Sequence, residues 1–194
     1  MPMAAIILAS SSPYRAELLR RLQIDFTAIA PDINETRHTD EPPEAYVRRL
    51  AREKAAAVAD AHPDAVVIGS DQCSECGGDV LGKPGTRERA IEQLLNASGQ
   101  CVTLSTAVAV HDPASGHIEV EAVATQVQFR RLGHHAIERY VDSDQPLDCA
   151  GAFRAEGLGT SLFESIRTDD PNALIGLPLI ALNRLLGRVG ITRP

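Results

Sequence analysis

The chain has no tryptophan and only seven aromatic residues, three Tyr and four Phe, among 194. So few rings leave little to build a stacking platform for unpaired bases. A formal net charge of −7 likewise removes the broad basic surface that nucleic-acid binding needs. No nucleic-acid partner is expected. Long hydrophobic runs are missing too. The stretch ALIGLPLIAL, residues 173–182, is too short to span a bilayer and is interrupted by Gly176 and Pro178. Met1 to Ala9 lacks the basic region of a secretory leader and runs straight into a helix signal. These readings predict a cytoplasmic protein with no membrane partner.

Cysteine is sparse, and its pattern is incomplete. Cys73 and Cys76 form a C-x-x-C, but Cys101 and Cys149 stand too far apart to supply the second half of a zinc site. A redox pair would open a helix, whereas QCSECGGDVLG reads as a strand entering a hairpin turn. Chance spacing accounts for the match, although the polar CSEC stretch leaves local redox sensitivity open. There is no G-x-S-x-G elbow and no H-E-x-x-H. His134 and His135 are adjacent, so on a helix they diverge by about 100° and are expected not to share a metal; all six histidines read as surface residues. Gly157-Leu158-Gly159 lacks the third glycine of a dinucleotide fingerprint and reads as a bend or a close backbone approach. GGDVLGKP has the glycine and lysine spacing of a P-loop, but Pro84 stands where a Ser or Thr must hold Mg²⁺. That excludes a P-loop ATPase.

What remains is an ordinary globular composition, 44% hydrophobic and 23% charged, predicting a single domain over residues 1–194. Patterning predicts strands at 4–9, 24–29, 65–71, 100–111 and 117–130. Helices are predicted at 13–23, 43–61, 86–97 (capped by Thr86), 133–143 and 177–189. A polar loop spans 31–43, Gly116 turns the last strand pair, and 144–176 reads as irregular. Strands alternating with helices, then pairing as a hairpin, argue an α/β fold with a mixed sheet.

In such sheets sites lie beyond the carboxyl ends of strands. Ser10 to Ser12 stand between the first strand and a helix opening at Pro13. They either cap that helix or receive an anion at its positive end. Asp71 ends the apolar run AVVIGSD, where a carboxylate can hold a metal, take a proton from water, or cap a backbone amide. Lys83, between Gly82 and Pro84, is either an aimed ammonium or an exposed hairpin lysine. Together with Arg15, these residues point to hydrolysis of a phosphate compound. Composition does not choose which.

The motifs LASSSPYRAELL, APDINE with Glu35, REKA with Lys54, IGSD with Asp71 and LGKP with Lys83 resemble, in order, those of the Maf-like nucleoside triphosphate pyrophosphatases. CAGAFRAEGLGTSLFESIRTDDPNALIGLPL, residues 149–179, fits the same family, so the resemblance covers essentially the whole chain. It implies a mixed, twisted sheet in two lobes around a deep cleft. It also implies metal-dependent cleavage between the α and β phosphates of a nucleoside triphosphate, with Mg²⁺ or Mn²⁺ as the cation. By the same resemblance Ser10, Arg15, Lys54 and Lys83 bind phosphate and Asp71 matches the proton acceptor; Glu35 and Asp71 are the carboxylates best suited to the metal, and the sequence does not order the two as ligand and base. A homodimer is compatible with the family, though no stripe in the sequence marks an interface.

Three positions speak to the base. Pyrimidine-directed members have a second Arg in place of Tyr14, a Thr in place of Gln72 and a Gln in place of Glu156. The residues here resemble the branch acting on 7-methylguanosine triphosphate. Methylation at N7 makes the guanine ring cationic, which suits a carboxylate at Glu156 and an aromatic face at Tyr14. Two rivals stand beside this reading: a pyrophosphatase of dTTP, UTP or modified nucleotides broadly, and a nucleotide-binding regulator of cell division whose catalysis is incidental.

Overall fold

The computed structural model describes residues 4–192. Residues 1–3, the start of the run read above for a leader, lie outside the described residues, as do 193 and 194. The elements in chain order are β1 (Ile6–Ala9), α1 (Pro13–Arg20), β2 (Thr27–Ile29), α2 (Pro43–Ala59), β3 (Val66–Cys76), β4 (Asp79–Leu81) and α3 (Arg87–Ala97). After them come β5 (Cys101–His111), β6 (Ile118–Phe129), α4 (His134–Asp144), a 3-10 turn (Leu158–Leu162), β7 (Phe163–Thr168) and α5 (Leu179–Arg188). The sheet has seven strands in the order β2-β1-β3-β5-β6-β7, with β4 paired to β3. β1 runs parallel to β2 and β3, while β3/β4 and β6/β7 are antiparallel. The mixed α/β class predicted from the pattern is the one observed.

Two of the predicted strand assignments need correction. The strand read as ending at Asp71 runs on unbroken through the QCSEC stretch to Cys76, and the hairpin read there is present: Ser74, Glu75 and Cys76 face Leu81, Val80 and Asp79 of β4. And the segment read as irregular contains β7, whose four central residues are all exposed and therefore carry no alternation to read.

The chain divides into two compact units. The first comprises residues 1–71, 106–123 and 170–194; the second comprises 72–105 and 124–169. In the first, Ile6, Leu8, Ile68, Val108 and Val110 form an apolar core with Leu18 and Leu19 of α1 and Leu182, Leu185 and Leu186 of α5. Burial of each such side chain contributes about 1.5–3 kcal/mol. In the second, Phe129, Phe153 and Phe163 meet edge to face, with ring centroids 5.2–5.5 Å apart. His111, expected at the surface, is buried on β5, and its Nδ1 faces the Ala65 carbonyl at 3.2 Å. A carbonyl can only accept, so that ring nitrogen carries the proton.

One contact in the first unit positions everything that follows. A Cβ built on Gly69 of β3 would lie 2.1 Å from the Ala51 carbonyl oxygen and 2.8 Å from the Ala55 amide nitrogen of α2. Helix and strand therefore touch backbone to backbone. Ala51 and Ala55 keep that face of α2 narrow, and Lys54 rides on the same turn. Among the described residues no helix is long and apolar enough to cross a membrane.

Candidate functional site

β1 pairs with β3 only as far as Ala9 opposite Gly69. The Ser10–Ser12 turn thus leaves β1 at the level where β3 enters Ser70 and Asp71. Asp71 stands in the middle of a strand, not at its end, yet it lies just past the parallel ladder.

Lys54 meets Asp71 there. Its Nζ donates to Asp71 Oδ1 at 2.6 Å and lies 2.9 Å from Glu35 Oε1. The Lys54 and Asp71 side chains are 7% and 9% exposed, whereas Glu35 is 57% exposed. One buried ammonium is therefore shared by two carboxylates from different segments, β3 and the 30–42 loop. Removing Lys54 would leave the buried Asp71 carboxylate without its ammonium, at a cost of about 3–5 kcal/mol.

Arg15 adds a second cation. Its Nε donates to the Gly176 carbonyl at 3.0 Å, and its Nη1 reaches Ser10 Oγ at 3.5 Å. Burial pulls the guanidinium below its usual pKa, and the charges of Asp71 and then Glu35 pull it back. Ser10, itself buried, also accepts from the Ser12 amide at 3.1 Å, while Ser12 Oγ accepts from the Arg15 amide at 3.4 Å. Ser12 is thus the helix cap, and Ser10 faces the arginine. Ser70, which the sequence did not single out, is fully buried and donates to the same Gly176 carbonyl at 3.1 Å. The loop carrying Gly176 is fixed by Asp170. Its carboxylate accepts from the Asn172 amide at 3.1 Å, the Ile180 amide at 2.6 Å and the Ala181 amide at 3.3 Å. Asp170 caps α5 from nine residues away, since Pro178 at the cap position offers no side-chain acceptor.

Ser10, Arg15, Glu35, Lys54 and Asp71 are therefore gathered in the first unit, with Tyr14 half-buried on the first turn of α1. Gln72, Lys83 and Glu156 belong to the second unit. Lys83 is exposed on a loop pinned on both sides: Gln93 Nε2 donates to the Gly82 carbonyl at 3.1 Å, and the Gly85 amide to the Leu147 carbonyl at 3.0 Å. Glu156 is exposed on a tight turn in which the Arg154 carbonyl accepts from the Gly157 and Gly159 amides at 3.2 and 3.1 Å. A Cβ at Gly159 would fall 2.3 Å from that carbonyl oxygen, so the expected close approach is real.

The set-aside motifs are also placed. Cys73 and Cys76 both lie on β3, where residues three apart face opposite sides. None of the four cysteines is in a disulfide, and burial with the neighbouring Asp148 pushes the Cys149 thiol up to about 11. His134 and His135 do converge, contrary to expectation: both Nδ1 atoms approach Glu138 Oε2, at 3.3 and 3.0 Å. At the first turn of α4 both side chains can fold toward a residue one turn on. They are 58% and 91% exposed at the positive end of that helix, where a cation is disfavoured.

A family model described as "Maf-like protein" matches residues 5–189. A protein of Alcanivorax borkumensis named 7-methyl-GTP pyrophosphatase is 51% identical over 189 residues, 97% of this chain and 96% of its own length. One of the same name from Pseudomonas putida is 52% identical over 192 residues, 99% of this chain and all of its own. Among solved structures, a HAM1 protein from Coxiella burnetii matches with a TM-score of 0.52 at 16% identity, covering 97% of this chain and 99% of that one. At that identity the likeness concerns the fold alone.

Proposed function

This chain belongs to the Maf-like protein family, and from that premise we propose that it hydrolyses 7-methyl-GTP to 7-methyl-GMP and pyrophosphate in the cytoplasm. The observation that carries the reading is the Lys54 ammonium held between Asp71 and Glu35, with Arg15 in the same unit. Phosphoryl-transfer catalysis is mostly positioning and charge stabilisation, and this cluster offers both.

In the reaction a water oxygen bonds to the α phosphorus, the bond from that phosphorus to the bridging oxygen breaks, and pyrophosphate leaves. Asp71 accepts the water proton. Arg15, Lys54 and Lys83 are assigned to phosphate oxygens by the motifs they stand in, and Ser10 offers its hydroxyl. Glu35 and Asp71 already gather around one cation, the Lys54 ammonium, and their hard oxygens match what Mg²⁺ or Mn²⁺ takes from protein when substrate phosphates complete its shell. Such an ion would be held by these two carboxylates and would supply charge neutralisation on the phosphates. Tyr14, Gln72 and Glu156 are assigned to the base. Hydrolysis in ¹⁸O-labelled water tests the bond that breaks. Label in 7-methyl-GMP is expected; label in pyrophosphate, or release of a diphosphate and inorganic phosphate, would contradict attack at the α phosphorus.

A further inference from the structure

Glu35 is the weak point of this site. Its carboxylate is half exposed and stands on a polar loop, residues 30–42, with no helix or strand of its own. A free loop of that length samples many conformations, so something must hold Glu35 on Lys54. The tether comes from α2, the helix that also carries Lys54. The Tyr46 hydroxyl donates to the Glu35 carbonyl at 2.9 Å. Arg49 Nη2 donates to the next carbonyl, that of Thr36, at 3.1 Å. The same guanidinium grips Glu41, at the far end of the loop, through Nε to Oε1 at 2.8 Å and Nη2 to Oε2 at 2.9 Å. Glu41 also accepts the His38 amide at 3.1 Å, and Arg49 Nη1 reaches Glu53 Oε2 at 3.1 Å. The Arg49 guanidinium carbon lies 5.6 Å from the Tyr46 ring centroid, so the two tethers brace each other.

We propose that Tyr46 and Arg49 are positioning residues, which clamp the Glu35 loop to α2 so that the Glu35 carboxylate stays on Lys54 beside Asp71. The role rests on the reading of that cluster as the reacting centre. It needs the planar fork of arginine: one guanidinium binds a carboxylate bidentately and still donates to Thr36, which a lysine ammonium cannot do in that geometry.

The test uses the full chain and the variants Tyr46→Phe, which keeps the ring and loses one hydrogen bond, and Arg49→Lys, which keeps the charge and loses the fork. With 7-methyl-GTP and Mg²⁺, kcat should fall on the order of 10-fold in Arg49→Lys and by less in Tyr46→Phe. The midpoint of thermal unfolding should move little in Tyr46→Phe. The discriminating measurement is the double variant. In a Glu35→Gln background, Arg49→Lys should cost little further activity, because the group it positions is already gone. Additive losses, or an unchanged kcat in both single variants, would overturn the proposal. Hydrogen exchange of amides 34–41 reads the tether without turnover: exchange should accelerate in Arg49→Lys, and unchanged exchange would also overturn it. A wild-type chain that hydrolyses no triphosphate would instead sink the reading of the site, so the two failures are distinct.

Discussion

The Glu41 carboxyl, held by Arg49 hydrogen bonds and the His38 amide, is drawn down to about 2 from an ordinary 4.5. A depressed acid stabilises the fold above its unfolded value and loses that contribution as pH falls toward its folded one. The clamp on the Glu35 loop should therefore be complete above pH 4.5 and loosen progressively toward pH 2. Hydrogen exchange of amides 34–41, corrected for intrinsic rate, should show extra opening in that window, and Glu41→Gln should show it already at pH 7. At the base, Glu156→Gln with Tyr14→Arg should lower kcat/KM for 7-methyl-GTP by about 10-fold or more, with pyrimidine triphosphates losing less or gaining. Equal losses on both would remove those residues from specificity. Lys54 and Asp71 were legible because each stands in a compact motif. Arg49 was not: its partners, Glu41 and the Thr36 carbonyl, lie in a loop whose path no periodicity encodes.

Among the elements, α2 and β3 decide whether the site forms. Their backbones touch at Gly69, so Gly69→Ala would drive a methyl into the Ala51 carbonyl and force the helix outward. The expected outcome is a stability loss of about 1–3 kcal/mol, read by denaturant unfolding. Activity should fall beyond what the folded fraction explains, because Lys54 moves away from Asp71. An active, fully stable Gly69→Ala enzyme would refute this account of the packing. Most elements were readable from the sequence within a few residues, including α3 with its Thr86 cap. β7 was not, since an exposed strand carries no buried alternation. Asp170 was missed for a different reason: it caps α5 across a turn of nine residues, outside any local capping pattern.

For the whole molecule, an acidic chain that is to hydrolyse a polyanion, as proposed, must concentrate its cations. Arg15 and Lys54 do so within the first unit, each balanced by Asp71 and Glu35. The five ordered motifs carried the family from sequence alone, and the match over residues 5–189 bears that out. The central claim is tested most directly by pyrophosphate release from 7-methyl-GTP, GTP, dTTP and UTP, with Mg²⁺ or Mn²⁺ and Asp71→Asn as control. Turnover selective for 7-methyl-GTP, reduced about 10²–10⁴-fold in Asp71→Asn, is the predicted result. Turnover confined to the pyrimidine triphosphates, or undiminished in Asp71→Asn, would contradict it.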